Sequence, residues 1–206
     1  MCIRDRAWTA NSSSIFDGGA GASGTAANIV ARLQGPGAAS LRCALDTACM
    51  DVLARAAGVT LAAYLAPAVL TPRSIPLNAT VTALVIKEAV DAAARAVADG
   101  FGCVKLKVGM LATPDEEVAR VAAVRDAIGS ETALRLDANG AWDVDQAIAT
   151  IHACEPYGLE LIEQPVSALS IDDLARVHAA VRTPIAVDEA LVDPRRALEV
   201  INRRAA

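Results

Sequence analysis

Histidine is scarce. Only His152 and His178 occur in 206 residues, far apart in the chain, so a histidine-rich zinc centre is not expected. Cysteine offers no framework either. Cys2, Cys43, Cys49, Cys103 and Cys154 are odd in number and form no CxxC pair. That pattern excludes a disulfide scaffold and implies a reducing compartment, the cytoplasm. No apolar run approaches the roughly 18 residues of a membrane span, so no membrane partner is expected. The opening MCIRDR is charged and has no apolar signal core. It does not read as the start of a fold, and residues 1–9 are expected to be a non-native leader. No basic stripe is present and the net charge is −5, which argues against nucleic acid as a partner. The glycines match no phosphate loop: GK[ST] is missing and no GxGxxG follows a strand. Any metal here would be held by oxygen, which favours magnesium, with manganese second.

Apolar residues, by contrast, make up 54% of the chain, enough to bury a core. Residues 10–40 are rich in Gly, Ala and Ser and read as loop or linker, with a short helix around 26–33. Residues 40–57 read as a helix capped by Ser40 and stopped by Gly58, with Leu41, Leu45, Ala48, Val52 and Leu53 on its apolar face. A proline-containing connection follows over 67–76. Beyond it a unit repeats five times: strands at 74–81, 103–107, 133–137, 159–163 and 184–188, each followed by a helix, at 86–99, 114–128, 144–154, 171–181 and 194–202. Such alternation predicts parallel strands with crossover helices. The apolar, β-branched strands fit a sheet covered on its faces.

An open doubly wound sheet and a (β/α)8 barrel both fit that alternation, and the polar residues decide between them. Lys105, Lys107, Asp137, Glu163 and Asp188 lie at the C-terminal ends of successive strands. A barrel gathers strand-end residues from many strands on one face, whereas an open sheet gathers a site at one switch point. The expected fold is therefore α/β, a partial TIM-type barrel of about five βα units over 73–206, preceded by a remnant of another domain over 10–72.

Asp137, Glu163 and Asp188 are spaced one βα unit apart, so three neighbouring strands end in a carboxylate on one rim. Three unshielded acids repel one another and call for a cation among them, and carboxylates with water and substrate oxygen suit magnesium. The competing explanation is that each acid caps the following helix. Lys105 and Lys107, two apart on one strand, point to the same face. Crowded ammonium groups lower each other's pKa, so one can act as a base near neutral pH. The competing explanation is an edge strand guarded by lysines.

The motifs KLKVG at 105–109, RLDANGAW at 135–142, IEQP at 162–165 and VDEA at 187–190 resemble, in order and spacing, the strand-end motifs of the enolase superfamily, mandelate racemase and muconate-lactonizing branch. The resemblance covers about residues 36–206, with the helix at 40–57 similar to the end of that family's capping domain. It implies a magnesium enzyme that removes the proton α to a carboxylate of a small-molecule substrate. On this resemblance Lys107 is the acid/base, and Lys105 tunes it and contacts the substrate carboxylate. Asp137, Glu163 and Asp188 bind the metal. Asn139 stands beside the metal, Glu189 is placed to pair with a lysine on the next strand, and Arg135 is a further substrate-binding or supporting residue. The segment IPLNATV at 75–81 is similar to the o-succinylbenzoate synthase group, which dehydrates a cyclohexadiene carboxylate on the route to menaquinone. Dipeptide epimerases, N-acylamino-acid racemases and muconate cycloisomerases share the same ligands.

A closed barrel needs about 250 residues. The sixth strand, where that family carries an opposing lysine, is not among the 206 residues. The chain is therefore expected to be a fragment, poorly folded and inactive alone, of a parent that forms a homo-oligomer. The rival readings are another magnesium barrel enzyme acting on phosphorylated substrates, and a non-catalytic barrel kept as a scaffold.

Overall fold

A computed structural model describes residues 37–66, 75–191 and 194–206. The expected helix at 26–33 and the connection over 67–74 lie outside these residues. The chain divides into two compact units, Met1–Ser74 and Ile75–Ala206.

In the first unit, α1 (Ala38–Ala56) is followed by the short α2 (Leu61–Leu65). Ser40 is not the cap: the helix starts after Gly37, whose φ of 79° places it in the left-handed region, and no side chain caps the turn. The stop at Gly58 holds. Its N–H donates to the Arg55 carbonyl, and the Val59 N–H to the Ala54 carbonyl, the paired bonds of a Schellman ending. Leu41, Ala48 and Val52 are exposed and Leu45 and Leu53 are half-buried, so none of the expected apolar face is fully buried.

The second unit contains β1 (Ala79–Val81), α3 (Ile86–Ala98), β2 (Cys103–Lys107), α4 (Pro114–Ile128), β3 (Ala133–Asp137), α5 (Val144–Cys154), β4 (Leu159–Glu163), α6 (Ile171–Ala180), β5 (Ile185–Ala186) and α7 (Pro194–Asn202). All strand pairs are parallel and the order is β1-β2-β3-β4-β5. Strands follow one another without a reversal, as in a barrel wall, so there is no switch point of the doubly wound kind. The flanking strands are shorter than expected, with β1 starting at Ala79 and β5 limited to two residues.

Helix starts follow local chemistry. Thr113 accepts from the Glu116 N–H while the Glu116 carboxylate accepts from the Thr113 N–H, a reciprocal capping box opened by Pro114. Asp143 and Ser170 cap α5 and α6 by accepting from the Gln146 and Asp173 N–H groups, without the reciprocal bond. The core forms where alternate strand residues meet the helices. Val104, Leu106 and Val108 are buried, whereas Cys103, Lys105 and Lys107 on the other face are half-buried. Each fully buried leucine here, such as Leu106 or Leu134, contributes about 1.5–3 kcal/mol of transfer free energy. At the N-terminal ends of the strands, Arg125 staples backbone carbonyls. It donates to Tyr157 (2.8 Å), Gly129 and Thr132 (both 2.7 Å) and Gly158 (3.0 Å).

Cys154 is fully buried at the end of α5, and burial pushes its thiol up to about 12. Cys43 and Cys49 are exposed on α1. Since the thiolate is the reactive form, iodoacetamide at pH 8 is expected to label Cys43 and Cys49 readily. Cys154 should react only after unfolding. Peptide mass mapping checks this, and native labelling of Cys154 at the rate of Cys43 would contradict the packing.

Candidate active site

The pleat decides which side chains reach the rim. Lys107 pairs in register with Asp137, and Asp137 with Glu163, so β2, β3 and β4 end level. β2 lies between β1 and β3, which removes the edge-strand explanation of its lysines. The helix caps are Thr113, Asp143 and Ser170, so Asp137 and Glu163 are not spent on capping α5 and α6.

The amines and acids interlock. Lys105 Nζ stands 2.8 Å from an oxygen of Asp137 and 2.8 Å from one of Glu163. Lys107 Nζ donates to Asp137 at 2.7 Å and also to Asn139 Oδ1. Asp137 Oδ1 accepts from the Asn139 N–H at 3.1 Å, and Asn139 Nδ2 donates to Glu189 at 2.8 Å. Asn139 adopts a left-handed φ of 46°, a region asparagine tolerates better than most residues. The loops that carry these groups are tight. At Gly109, φ is 81° and an added Cβ would sit 2.6 Å from the Ala141 Cβ, so the KLKVG glycine is a steric requirement.

The sequence expectation is that one of the two crowded lysines is lowered toward neutrality, and Lys105 is not that lysine. Burial does lower the Lys105 ammonium, but hydrogen bonds and charge from Asp137 and Glu163 outweigh it, and Lys105 is held above the ordinary lysine value. Burial likewise raises the Asp137 carboxyl, yet the hydrogen bonds from Lys105 and Lys107 overcome it and hold Asp137 below the usual aspartate range. Among the described residues Glu189 accepts from Asn139 Nδ2. Arg135 shares the face of Asp137, two residues back along β3, and binds Glu160 at 2.6 Å, where a register shift in β4 places that residue.

Asp188 follows β5 and is exposed. Its backbone is fixed by Gln164, a side chain with no solvent exposure. Gln164 Oε1 accepts from the N–H groups of Asp188 and Ala190, both at 3.2 Å, and its Nε2 donates to the Val166 carbonyl at 2.9 Å. Gln164 thereby links the end of β4 to the turn that carries Asp188. Its left-handed φ of 41° is the local strain of that arrangement. Sequence reasoning quoted Gln164 within IEQP but gave it no task.

The donor set fits a hard divalent cation in kind. Asp137 and Glu163 already share one cationic atom, Lys105 Nζ, and Asp188 is the next acid along the rim. Among the described residues no three His, Cys, Asp or Glu side chains are grouped closely enough to hold a metal ion, so Asp188 is not drawn in beside Asp137 and Glu163.

Comparison with known proteins finds one family over this part of the chain. The model of a family described as "Enolase C-terminal domain-like" matches residues 88–206. An o-succinylbenzoate synthase from Thermobifida fusca is 44% identical over 121 residues, covering 57% of this chain and 36% of that protein. A hydrophobic dipeptide epimerase from Enterococcus faecalis is 41% identical over 104 residues, covering 50% of this chain and 29% of that protein. The crystal structure of a dipeptide epimerase from Cytophaga hutchinsonii, complexed with magnesium and the dipeptide D-Ala-L-Val, superposes with a TM-score of 0.72 at 31% identity, covering 78% of this chain and 43% of that one. The chain thus spans less than half the length of these relatives.

Proposed function

The chain belongs to the enolase C-terminal domain-like family, and from that premise we propose that it carries the catalytic rim of a magnesium-dependent enzyme that abstracts the proton α to a carboxylate. The observation that carries this reading is the interlocked rim: Lys107 on Asp137, and Lys105 between Asp137 and Glu163, from three strands in register.

In this reading Asp137, Glu163 and Asp188 hold the magnesium, which when bound stabilises the negative charge that develops on the substrate carboxylate. Lys107 Nζ takes the α-proton and returns it, steadied by Asp137 and Asn139. Lys105 keeps its charge through Asp137 and Glu163 and offers a fixed ammonium to the substrate carboxylate. Glu189 holds the Asn139 amide in place. For a dehydration, the proton on Lys107 passes to the departing hydroxide on the same face.

The preferred activity is that of an o-succinylbenzoate synthase, a lyase on a cytoplasmic menaquinone route. Support comes from the IPLNATV segment and from the 44% identical synthase. Dipeptide epimerisation is the second reading, favoured by the 41% identical epimerase. The two differ in what D2O records. A dehydratase releases water from a cyclohexadiene carboxylate, whereas an epimerase places deuterium at the α-carbon of a dipeptide with inversion. The full-length parent protein is expected to require added Mg2+ and to lose turnover in EDTA, with Mn2+ as a partial substitute. Turnover that persists at full rate after exhaustive chelation would remove the metal assignment, and inactivity on both substrate classes with Mg2+ would remove both activities.

A further inference from the structure

A buried ion pair behind the rim has no part in the chemistry described so far. Glu117 and Arg120 lie three residues apart on α4, with relative exposures of 2% and 0%, and their side chains meet at 2.8 Å. A buried pair is costly to desolvate and is weak support for stability on its own, so its remaining bonds matter. Arg120 Nη1 donates to the Ala83 carbonyl at 2.7 Å, and Nη2 donates to the Lys107 carbonyl at 2.5 Å. Glu117 Oε1 accepts from the N–H groups of Met110 (3.2 Å) and Leu111 (2.9 Å).

Strand geometry explains why an arginine stands there. Alternate residues of β2 turn their backbone groups to opposite neighbours. Val108 N–H goes to Asp137 on β3, so the carbonyl of Lys107 faces β1. The β1 pairing ends at Val81, opposite Leu106, and leaves that carbonyl without a strand partner. Beyond the end of β1 stands the Ala83 carbonyl, a second acceptor that cannot pair with the first. The planar fork of a guanidinium spans both carbonyls and Glu117 in one fixed geometry, whereas an ammonium offers a single point of charge.

We propose that Glu117 and Arg120 are positioning residues that hold the end of β2, residues 107–111, in place for Lys107. Arg120 stands in for the missing part of β1, and Glu117 ties down the loop that follows. The catalytic consequence rests on the assignment of Lys107 as acid/base, whereas the hold on the backbone does not.

The test compares Arg120→Lys and Arg120→Gln with Arg125→Gln, which loses a comparable set of carbonyl bonds at the opposite ends of the strands. Amide hydrogen exchange at Met110 and Leu111 reads the hold directly. In both Arg120 variants protection at these amides is expected to fall at least about tenfold, with kcat falling about ten- to a hundredfold and KM nearly unchanged, since small displacements of a reacting group have such effects. Arg125→Gln is expected to lower the melting temperature without either change. Should Arg120→Gln fail to fold, the charge-retaining Arg120→Lys carries the test. Unchanged protection at Met110 and Leu111 in Arg120→Lys would overturn the proposal, as would a kcat loss no greater than that of an equally destabilised Arg125→Gln. If the parent protein shows neither dehydration nor α-proton exchange, the Lys107 assignment fails, and amide protection alone still supports or overturns the hold.

Discussion

Lys107→Ala is expected to reduce exchange of the substrate α-proton with solvent deuterium by about a thousandfold or more, the range a positioned acid/base supplies. The loss should be chemical, not structural. Lys107 retains 26% of its side-chain exposure, and Asp137 keeps a second ammonium, Lys105, at 2.8 Å when Lys107 is removed. The stability cost is therefore that of a partly exposed ion pair, no more than about 1 kcal/mol. Lys107→Arg separates charge from basicity. A guanidinium can still reach Asp137 but does not deprotonate near neutral pH, so this variant is expected to be as stable as the parent and nearly as inactive as Lys107→Ala. Proton NMR in D2O at constant Mg2+ measures both. Exchange that survives undiminished in Lys107→Ala would take Lys107 out of its role.

The second large effect belongs to Asp137→Asn, which should damage stability and metal binding together. Asp137 has 1% exposed side chain and receives both lysines. Removing its charge strands two partly buried ammonium groups, and Lys105 retains only Glu163. Breaking a fully buried pair costs about 3–5 kcal/mol; with Lys105 and Lys107 at 18% and 26% exposure, the loss is reduced to about 2–3 kcal/mol by solvent screening. The sign of the pH dependence follows from the pKa directions. Asp137 titrates below its unfolded value of about 3.9. Its contribution is thus present above that pH and lost as the pH falls through the lower folded value. Lys105 is held above about 10.4, so its contribution is present below that pH and lost as the pH rises through the higher folded value. The parent should therefore lose stability in acid over a range that Asp137→Asn no longer shows. Urea unfolding at pH 7 and across the acid limb tests both statements. An unchanged midpoint at pH 7 would contradict the charge cluster.

Much of the fold was legible in the sequence because the period of the pattern changes cleanly. The strands at 103–107, 133–137 and 159–163 and the helices at 114–128, 144–154 and 194–202 stand where hydrophobic spacing and caps put them. The flanking strands were shorter than expected because their ends depend on neighbours, which a local pattern does not carry. The candidate site was legible as a set of residue types at strand ends, and less so as contacts. The partners of Arg135 and Glu189, namely Glu160 and Asn139, could not be read from spacing, and Lys105 keeps its charge because two carboxylates lie within reach. Glu117 and Arg120 left a trace that went unused. They occupy the stripe of α4 that also carries Val121, Val124 and Ile128, where charged residues are out of place unless something buried binds them.

The sequence by itself determined that five βα units run in order, that Lys107, Asp137 and Glu163 end successive strands and that Asp188 follows the next one, because periodicity and spacing are properties of the chain. Only the tertiary structure decided which charge meets which, where the backbone lacks a partner, and which buried side chain supplies one. Those outcomes follow from distances and desolvation among residues remote in sequence, such as Arg120 reaching back to Ala83 and Gln164 reaching forward to Asp188.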